Sequence, residues 1–508
     1  MPHPGSKPEG LSRPYLTGLA VALIFGVAVY FRLCELGGRN LWTDEAWVAL
    51  AAMKPTAQEA LAAGQSTPPF YLLTVWAMVQ LWGHGEAVLR GLSWLFGVGT
   101  LFLIWRLSRM LAEVPAALLA LAAVAFSPIM VYYSKELKQY SGDAFFAVLV
   151  LWLAERLRAG RGRRGWLALA LAGVVGLGFS QPLIFTLPAA AAVLWVSLPR
   201  AQRLRLACLG GIWLLAAAGY YFLFIRREID PELLAYWGQD FPDLSGLLPF
   251  FRWLGPALYR YFWYFLGEWG VIWGPLLLAA GVVVMVRRGR ARALLSLGGP
   301  LLLAFGAACL HCYPFMAHYG GNRLMLFSAP VLYLLVAAGG VGVFAWLWRR
   351  RQRWLALALT GLLLVALHPG GGLKEDLSPL NNREEIQPLV AYLEANLQPQ
   401  DLIYVYYFAV FPFKYYYHGP DPGICWGRSC VEQGLDPAGK AGTPPQRLWL
   451  IASHIPDLKF LRQFAANLLG PDWREAACLT RVGAALLRFD RQPQAAAAKT
   501  PTGPSAPP

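Results

Sequence analysis

The chain has 508 residues, of which 57% are hydrophobic and only 14% are charged. Soluble domains carry about 25% charged residues, so this composition excludes an ordinary soluble protein. The net charge is +15, but the basic residues form short clusters between apolar runs, which is typical of cytoplasmic loops in a polytopic membrane protein. We therefore expect the lipid bilayer as a partner, and no nucleic acid.

The apolar runs predict an all-α polytopic membrane bundle over residues 15–368, preceded by a cytoplasmic tail over residues 1–14. Several runs reach or approach the roughly 20 residues that a bilayer span needs. Eleven spans are predicted, over residues 15–33, 91–107, 114–131, 144–157, 167–179, 183–198, 206–225, 269–286, 293–310, 324–348 and 354–368. In this arrangement every basic cluster lies on the cytoplasmic side, so the remaining loops are outer loops.

The first outer loop, residues 34–90, is large and carries an acidic pair, Asp44 and Glu45, between bulky apolar residues. It also contains a short apolar segment, residues 70–82, which we interpret as a re-entrant or interfacial helix. Adjacent side chains on a helix diverge by about 100°, so at most one carboxylate points into a given pocket. We favour Asp44. The alternative is a solvated acidic pair that marks the end of a span.

A second polar stretch follows the third span. Four of its residues recur at helical spacing and share one face if the stretch is a helix: Tyr132, Glu136, Tyr140 and Asp143. Ser134, Lys135 and Lys138 lie around that face. Ionisable groups at membrane depth are costly and are functional candidates by default. The alternative is a polar interfacial loop that anchors the end of the helix.

A third polar stretch, with His318, Tyr319 and Arg323, lies at the outer end of the tenth span. An Arg can hold a phosphate group through bidentate hydrogen bonds. The alternative is an interfacial Arg whose charged head reaches water along its apolar stem. Because Arg323 lies on the outer side, against the trend of the basic residues, we favour a functional role.

The cysteines give no strong metal motif. Cys309 and Cys312, with His318 nearby, have side chains that can bind a metal, but a disulfide or two free thiols fit this pair better. Cys425 and Cys430 are expected to form a bridge, because an oxidising compartment permits one. The sequence has no phosphate loop, dinucleotide fingerprint or HExxH pair. We therefore expect no cofactor and no metal site. The sequence does not exclude a divalent metal, but no motif in it indicates one.

After the last span the chain changes character, and residues 369–491 predict a small α/β domain on the outer face. Asn382 and Glu385 have the spacing of a capping box at the start of a helix. Two helices and three strands are predicted, over residues 383–397 and 456–469 and over residues 401–406, 447–452 and 483–489. Residues 492–508 are rich in Ala and Pro and predict a disordered tail.

Five short motifs follow one another along residues 15–345. They are Asp44-Glu45, Pro68-Pro69, Glu86…Arg90…Gly97, Ser134-x-Glu136-x-Lys138-x-Tyr140 and Arg323…Pro330. Their order resembles that of the polyprenyl-phosphate-sugar-dependent glycosyltransferases of the GT-C superfamily. The most similar group is the bacterial branch of glycosyltransferase family 39, with relatives of protein O-mannosyltransferases and of the lipid A aminoarabinose transferase. The chain departs from the family pattern at Thr67, at Lys138, which replaces Arg, and at Leu324, which replaces Tyr.

The resemblance implies a reaction on the outer face of the membrane. A sugar would pass from a polyprenyl-phosphate-linked donor to a hydroxyl group of an unknown acceptor, with inversion at the anomeric carbon. Phosphate is a good leaving group, so one carboxylate suffices where glycosidases use two.

The resemblance also implies roles for individual residues. Asp44 and Glu45 are the catalytic candidates, and Asp44 is expected to act as the general base. Arg323, with Lys135 or Lys138, is expected to hold the donor phosphate and to offset its developing charge. The remaining candidates for substrate binding are Glu136, Tyr140, Asp143, His318 and Tyr319.

Two other classes of protein stay open. A transporter or flippase of lipid-linked sugars calls for ionisable residues deep within spans and for inverted repeats. In this sequence the acidic residues cluster at one face instead, and no fixed-period repeat is seen. A non-catalytic envelope assembly protein would use the outer domain for binding, and the presence of both Asp44 and Arg323 argues only weakly against it.

Overall fold

A computed structural model of the chain describes residues 13–64, 66–160, 163–227, 235–315, 321–358, 384–427, 445–455 and 457–492. The chain divides into two compact units. We call Met1–Gly38 with Ala51–Asn381 the membrane unit, and Arg39–Leu50 with Asn382–Pro508 the C-terminal unit. Residues 39–50, which we call the first-loop segment, therefore group with the end of the chain rather than with the spans around them.

The membrane unit is built from helices. In chain order they are α1 (Arg13–Leu33), α2 (Thr43–Ala52, which begins in the C-terminal unit), α3 (Ala57–Ala63), α4 (Pro69–Trp82), α5 (Glu86–Leu111), α6 (Val114–Phe126), α7 (Pro128–Tyr133), α8 (Tyr140–Arg158), α9 (Arg163–Leu177), α10 (Leu183–Ser197), α11 (Arg200–Leu223), α12 (Leu247–Leu266), α13 (Gly270–Arg287), α14 (Ala293–Cys309) and α15 (Ala329–Arg349). A 3₁₀ helix, Gly321–Ser328, leads into α15.

Several of these helices suit a bilayer. Among the described residues, five helices are long and apolar enough to cross a membrane by length and composition, and five shorter apolar helices accompany them. The eleventh predicted span, residues 354–368, is described only as far as residue 358, where it is helical. The predicted all-α membrane bundle with a small C-terminal α/β domain is confirmed.

Glycines let two helices of the membrane unit approach closely. A Cβ atom on Gly281 of α13 would lie 2.0 Å from the carbonyl oxygen of Leu335. A Cβ atom on Gly339 of α15 would lie 1.9 Å from the carbonyl oxygen of Leu277. Between helices in lipid there is no hydrophobic driving force, so association depends on close packing. Small residues at the crossing allow the two backbones to pack closely.

A buried arginine joins α1 to the end of α6. The guanidinium group of Arg32 donates to the carbonyls of Val124 (3.0 Å) and Ala125 (2.8 Å). The last carbonyls of a helix have no partner within the helix, and leaving them unsatisfied in a bilayer is costly. Arg32 therefore stabilises the end of α6, just before the chain bends at Ser127.

The predicted third span, residues 114–131, is interrupted. Ser127 ends α6 and caps α7. Helix α7 ends at Tyr133. The hydroxyl of the next residue, Ser134, donates to the backbone carbonyl of Val131 (2.6 Å). Turns and bends follow over residues 134–139, which we call the polar loop, before α8 begins at Tyr140. The stretch is therefore not one continuous helix, and the condition for a single shared face is not met; local serine hydrogen bonds compete with the helix here.

The C-terminal unit contains a five-stranded sheet with the strand order β2-β1-β3-β5-β4. Its strands are β1 (Leu402–Val405), β2 (Ile424–Trp426), β3 (Arg447–Ser453), β4 (Trp473–Arg481) and β5 (Ala484–Arg491). The first strand pairs in parallel with β2 and β3, whereas β5 runs antiparallel to β3 and β4. The predicted α/β domain thus has a mixed sheet.

Helices cover both faces of this sheet. Side chains of α16 (Gln387–Asn396) and α17 (Val410–Tyr416) pack into one buried cluster, and side chains of α18 (Leu458–Leu469) pack into the other. Strands that are buried on both faces are continuous apolar runs rather than alternating ones. This explains why the sequence predicts β1 and β3 well.

The start of α16 differs from the prediction. The helix begins at Gln387, and Asn382, the expected cap, lies outside the described residues. Glu385 instead donates its backbone N–H to the carbonyl of Val482 (2.8 Å). The backbone before α16 therefore pairs with the β4–β5 turn.

Candidate functional site

The candidate side chains fall into two groups, one in each unit, and each group is described by itself. Within the membrane unit the polar loop is almost entirely buried. Its inaccessible polar residues are Ser134, Glu136, Lys138 and Gln139, and only Lys135 is partly exposed. Burying an ionisable side chain in a membrane protein costs free energy. Residues that are kept in spite of this cost are therefore functional candidates.

Helix α5 fixes the polar loop from one side. Ser93 of α5 donates its hydroxyl to the backbone carbonyl of Lys138 (3.1 Å), and its oxygen lies 2.7 Å from the hydroxyl of Tyr71. Gly97, one helical turn further on, leaves room for the loop: a Cβ atom there would lie 2.4 Å from the Cβ atom of Ser134. The loop is therefore bonded to α5 at Lys138 and packs closely against α5 at Ser134.

Arg323 lies against an aromatic ring. Its guanidinium carbon is 5.7 Å from the centre of the Tyr140 ring, a distance at which a cation is attracted to the ring face. Tyr140 in turn meets the ring of Tyr133 edge-on at 5.2 Å, and the Tyr133 hydroxyl lies 2.7 Å from that of Tyr264. The structure thus brings together Tyr140 and Arg323, two of the predicted site residues.

A partly buried tyrosine that the sequence did not single out completes this group. Tyr313, in the loop after α14, donates its hydroxyl to the carbonyl of Leu324 (2.9 Å), next to Arg323. Burial, and then the charges of Asp143 and Tyr140, raise the pKa of Tyr313 well above its ordinary value of 10.0. The hydrogen bond from Tyr313 thus fixes the backbone next to Arg323.

Asp143 belongs to the same neighbourhood. Its side chain is buried near the start of α8, and the hydroxyl of Ser180 lies beside its carboxyl group. Of the other predicted residues in the membrane unit, the side chain of Lys135 donates to the carbonyl of Cys34 at 3.5 Å. His318 and Tyr319 lie outside the described residues.

The acidic pair of the first loop belongs to the C-terminal unit. Asp44 and Glu45 both lie in the first turn of α2, where a negative charge complements the helix dipole. Glu45 is fully buried, with one carboxylate oxygen 3.8 Å from the guanidinium group of Arg39, whereas Asp44 is partly exposed. The two side chains therefore have different environments, and of the pair only Asp44 is partly exposed to solvent.

Side chains of the C-terminal fold hold the first-loop segment. The backbone N–H of Leu41 donates to the hydroxyl of Tyr416 (2.7 Å). The ring of Trp47 stacks on that of Phe411, with a centroid distance of 5.0 Å and an interplanar angle of 4°. Neither contact was expected from the sequence, since nothing in it links residues so far apart.

The cysteines and the possible metal ligands can be placed in the described part of the chain. Cys309 and Cys312 are both free thiols. Cys425 is disulfide-bonded, and its predicted partner, Cys430, lies outside the described residues. Over the described ranges no three His, Cys, Asp or Glu residues are grouped so that they could hold a metal ion.

Comparisons with known proteins agree with this picture. Residues 66–223 match the sequence model of the family described as dolichyl-phosphate-mannose-protein mannosyltransferase. None of the curated proteins with which the sequence was compared matches it.

Three solved structures share the fold. ArnT from Cupriavidus metallidurans in the apo state gives a TM-score of 0.56 at 16% identity, covering 93% of this chain and 98% of that one. The same protein bound to undecaprenyl phosphate gives 0.53 at 16% identity, with 94% and 98% covered. The apo oligosaccharyltransferase of Archaeoglobus fulgidus gives 0.52 at 11% identity, with 87% and 70% covered.

The shared fold and the family match over residues 66–223 make the chain similar to membrane glycosyltransferases of the GT-C class. Within this class the chain resembles the protein mannosyltransferases over residues 66–223, a range that includes the polar loop, and ArnT over most of its length. The family resemblance expected from the five motifs is thereby confirmed.

Proposed function

We propose that this protein transfers a sugar from a polyprenyl-phosphate-linked donor to a hydroxyl group of an acceptor on the outer face of the membrane. The observation that carries the proposal is Arg323, held over the Tyr140 ring in the membrane unit. A guanidinium fixed in this way has the planar donor geometry that binds a phosphate group through two oxygens. In support, a structure of similar fold, ArnT, was solved with undecaprenyl phosphate bound.

The donor phosphate would be bound by residues of the membrane unit. Arg323 would contact two phosphate oxygens, and Lys135 or Lys138 would add positive charge as the bond to the sugar breaks. Two tyrosines would orient Arg323. The ring of Tyr140 packs against its guanidinium group, and the hydroxyl of Tyr313 binds the backbone carbonyl of the next residue, Leu324. Glu136 and Asp143 would bind the sugar or form ion pairs with Lys135 or Lys138.

Proton removal would fall to the first-loop segment. Asp44 would accept the proton of the acceptor hydroxyl while the acceptor oxygen bonds to the anomeric carbon. The bond from that carbon to the phosphate oxygen breaks in the same step, so the polyprenyl phosphate leaves and the configuration inverts. Glu45, buried beside Arg39, would support the helix rather than the chemistry. We propose that these steps proceed without a metal or other cofactor.

A deletion strain tests the reaction whatever the acceptor is. We expect the strain to accumulate a polyprenyl-phosphate sugar and to lose one sugar from its surface glycans or glycoproteins, both measured by mass spectrometry. Restoring the gene should reverse both changes, and restoring the Arg323→Ala variant at matched protein level should not. Unchanged lipid-linked sugars and surface glycans in the deletion strain would exclude the proposed reaction.

A reporter fusion tests the proposed side of the membrane. Alkaline phosphatase fused after His368 should be active, because the basic cluster Arg349 to Arg351 is expected in the cytoplasm and one span follows it. Activity of a cytoplasmic reporter at the same position would place the C-terminal unit, and Asp44 with it, inside the cell.

A further inference from the structure

A histidine in the left-handed backbone region directly follows β3. His454 has a φ of 55°, which is uncommon for residues other than Gly, although Asn, Asp and His adopt it more often than the rest. Its Nδ1 atom lies 2.8 Å from Oε1 of Glu384, whose side chain is buried. Conformations of this kind persist only where the surroundings hold them, and they cluster at functional positions. The contacts of His454 therefore call for an explanation.

Those contacts lead to the start of α2. The other carboxylate oxygen of Glu384 lies 3.4 Å from the hydroxyl of Thr43, the first residue of the helix. The same hydroxyl donates to the carbonyl of Phe408 at 2.6 Å. Two residues of the C-terminal fold thus bind one side chain directly before Asp44.

Ring stacking adds to this attachment. The imidazole ring of His454 stacks on the indole ring of Trp42, with a centroid distance of 6.3 Å and an interplanar angle of 24°. The ring of Phe408 lies 5.1 Å from the same imidazole. His454 therefore contacts the residue before Thr43 while it is bonded to the carboxylate that faces Thr43.

We infer that His454 and Glu384 are positioning residues for the proposed base. They fix Trp42 and Thr43, and through the first turn of α2 they fix the direction of the Asp44 carboxylate. The C-terminal domain thus takes part in the reaction by holding the base. This inference rests on the proposed role of Asp44. A reacting group displaced by about 1 Å can lose on the order of a hundredfold in rate, so the attachment has a measurable consequence.

The test uses the full-length protein in detergent and in the complemented deletion strain. The variant His454→Asn removes the imidazole ring, while Asn tolerates the left-handed backbone. A second variant, Thr43→Val, removes only the hydroxyl group and keeps the side-chain shape. The matched control is Arg462→Ala, which breaks an ion pair with Glu475 on the surface of the same unit.

Three quantities are measured for each variant: amide hydrogen exchange over residues 39–52, the Kd for undecaprenyl phosphate, and sugar transfer in cells at matched protein level. For His454→Asn and Thr43→Val we expect faster exchange over residues 39–52, an unchanged Kd, and a loss of transfer of about tenfold or more. For Arg462→Ala we expect all three quantities to equal those of the parent protein. A weakened Kd would indicate a general loss of structure and would contradict the inference.

Asp44→Asn separates failure of this inference from failure of the proposed function. If Asp44→Asn transfers sugar normally, the proposed base is wrong. If Asp44→Asn is inactive but His454→Asn and Thr43→Val transfer at the parental rate, only the positioning role is wrong. Unchanged hydrogen exchange over residues 39–52 in both attachment variants would also overturn the positioning role, whatever their activity.

Discussion

The polar loop and the first-loop segment both present ionisable side chains, but different parts of the chain hold them. The polar loop is fixed by a neighbouring helix: Ser93 of α5 binds the carbonyl of Lys138 (3.1 Å). The first-loop segment is fixed by a residue 375 positions later, through the bond from Leu41 to Tyr416. The comparison shows that the proposed phosphate site is built from contacts within the membrane unit, whereas the proposed base depends on the C-terminal fold.

Because the supports differ, the two proposed roles can be disturbed separately. Changes near the polar loop should weaken donor binding and leave hydrogen exchange over residues 39–52 as it is. Changes at the first-loop segment should slow transfer and leave donor binding as it is. A variant of either region that altered both quantities would mean that the two regions do not act independently.

The largest effect on binding is expected from Arg323→Lys. A Lys keeps the charge but cannot form the planar pair of hydrogen bonds to two phosphate oxygens. Losing one charge-assisted hydrogen bond costs about 1.5–3 kcal/mol, so the Kd for undecaprenyl phosphate should rise about tenfold to a hundredfold. Native mass spectrometry or a thermal shift titration measures it. A parental Kd and parental transfer would make Arg323 an interfacial anchor.

A smaller effect is expected from Gly97→Ala, which crowds the polar loop without touching a charge. The new Cβ atom would lie 2.4 Å from that of Ser134, so the loop must move. Overpacking of this kind costs about 1–3 kcal/mol of stability. We expect a lower unfolding temperature in detergent and weaker undecaprenyl phosphate binding.

The chain offers a matched control for this substitution. Gly210 of α11 is also a helical glycine, and a Cβ atom there would meet no atom within 4 Å. Gly210→Ala should therefore leave the unfolding temperature and the Kd unchanged or slightly improved. If the two alanine variants had the same unfolding temperature and the same Kd, the close approach of Gly97 to the polar loop would not contribute to stability or to binding.

The smallest effect is expected from the disulfide of Cys425. If its partner is Cys430, the bridge closes a loop of about six residues and stabilises the C-terminal unit by about 2 kcal/mol in the loop-entropy account. The unfolding temperature should fall slightly in reductant, and Cys425→Ser should show no such dependence. Intact-mass analysis after alkylation without reductant counts the free thiols. Labelling of both Cys425 and Cys430 would contradict the pairing.

Much of the fold could be predicted from the sequence, because its signals are local. Apolar run length predicts the helices of the membrane unit. All of β1 and the middle of β3 are continuous apolar runs, because helices cover both faces of the sheet. The sequence does not predict β4, an edge strand whose alternate residues are exposed and which includes Arg474, Glu475 and Arg481. Edge strands carry such charges and resemble surface helices or loops in sequence.

The candidate site could be predicted only in part. The motif order selects Tyr140 and Arg323, and the structure brings them together. The same reasoning misses Tyr313, which lies beside Cys312 and outside the five motifs. It also misses His454 and Glu384, because a contact between distant residues leaves no periodicity in either segment. Burial of Glu45 and partial exposure of Asp44 depend on this tertiary arrangement too.

The most direct test of the account is sugar transfer by Asp44→Asn, measured beside undecaprenyl phosphate binding, with Glu45→Gln as the paired control. Asn keeps the side-chain shape and cannot accept the proton, so transfer should fall about a hundredfold or more while the Kd stays at the parental value. Glu45→Gln should lose much less, since its carboxylate is buried against Arg39. Near-parental transfer by Asp44→Asn would contradict the account and move the proposed base to another carboxylate, Glu136 or Asp143.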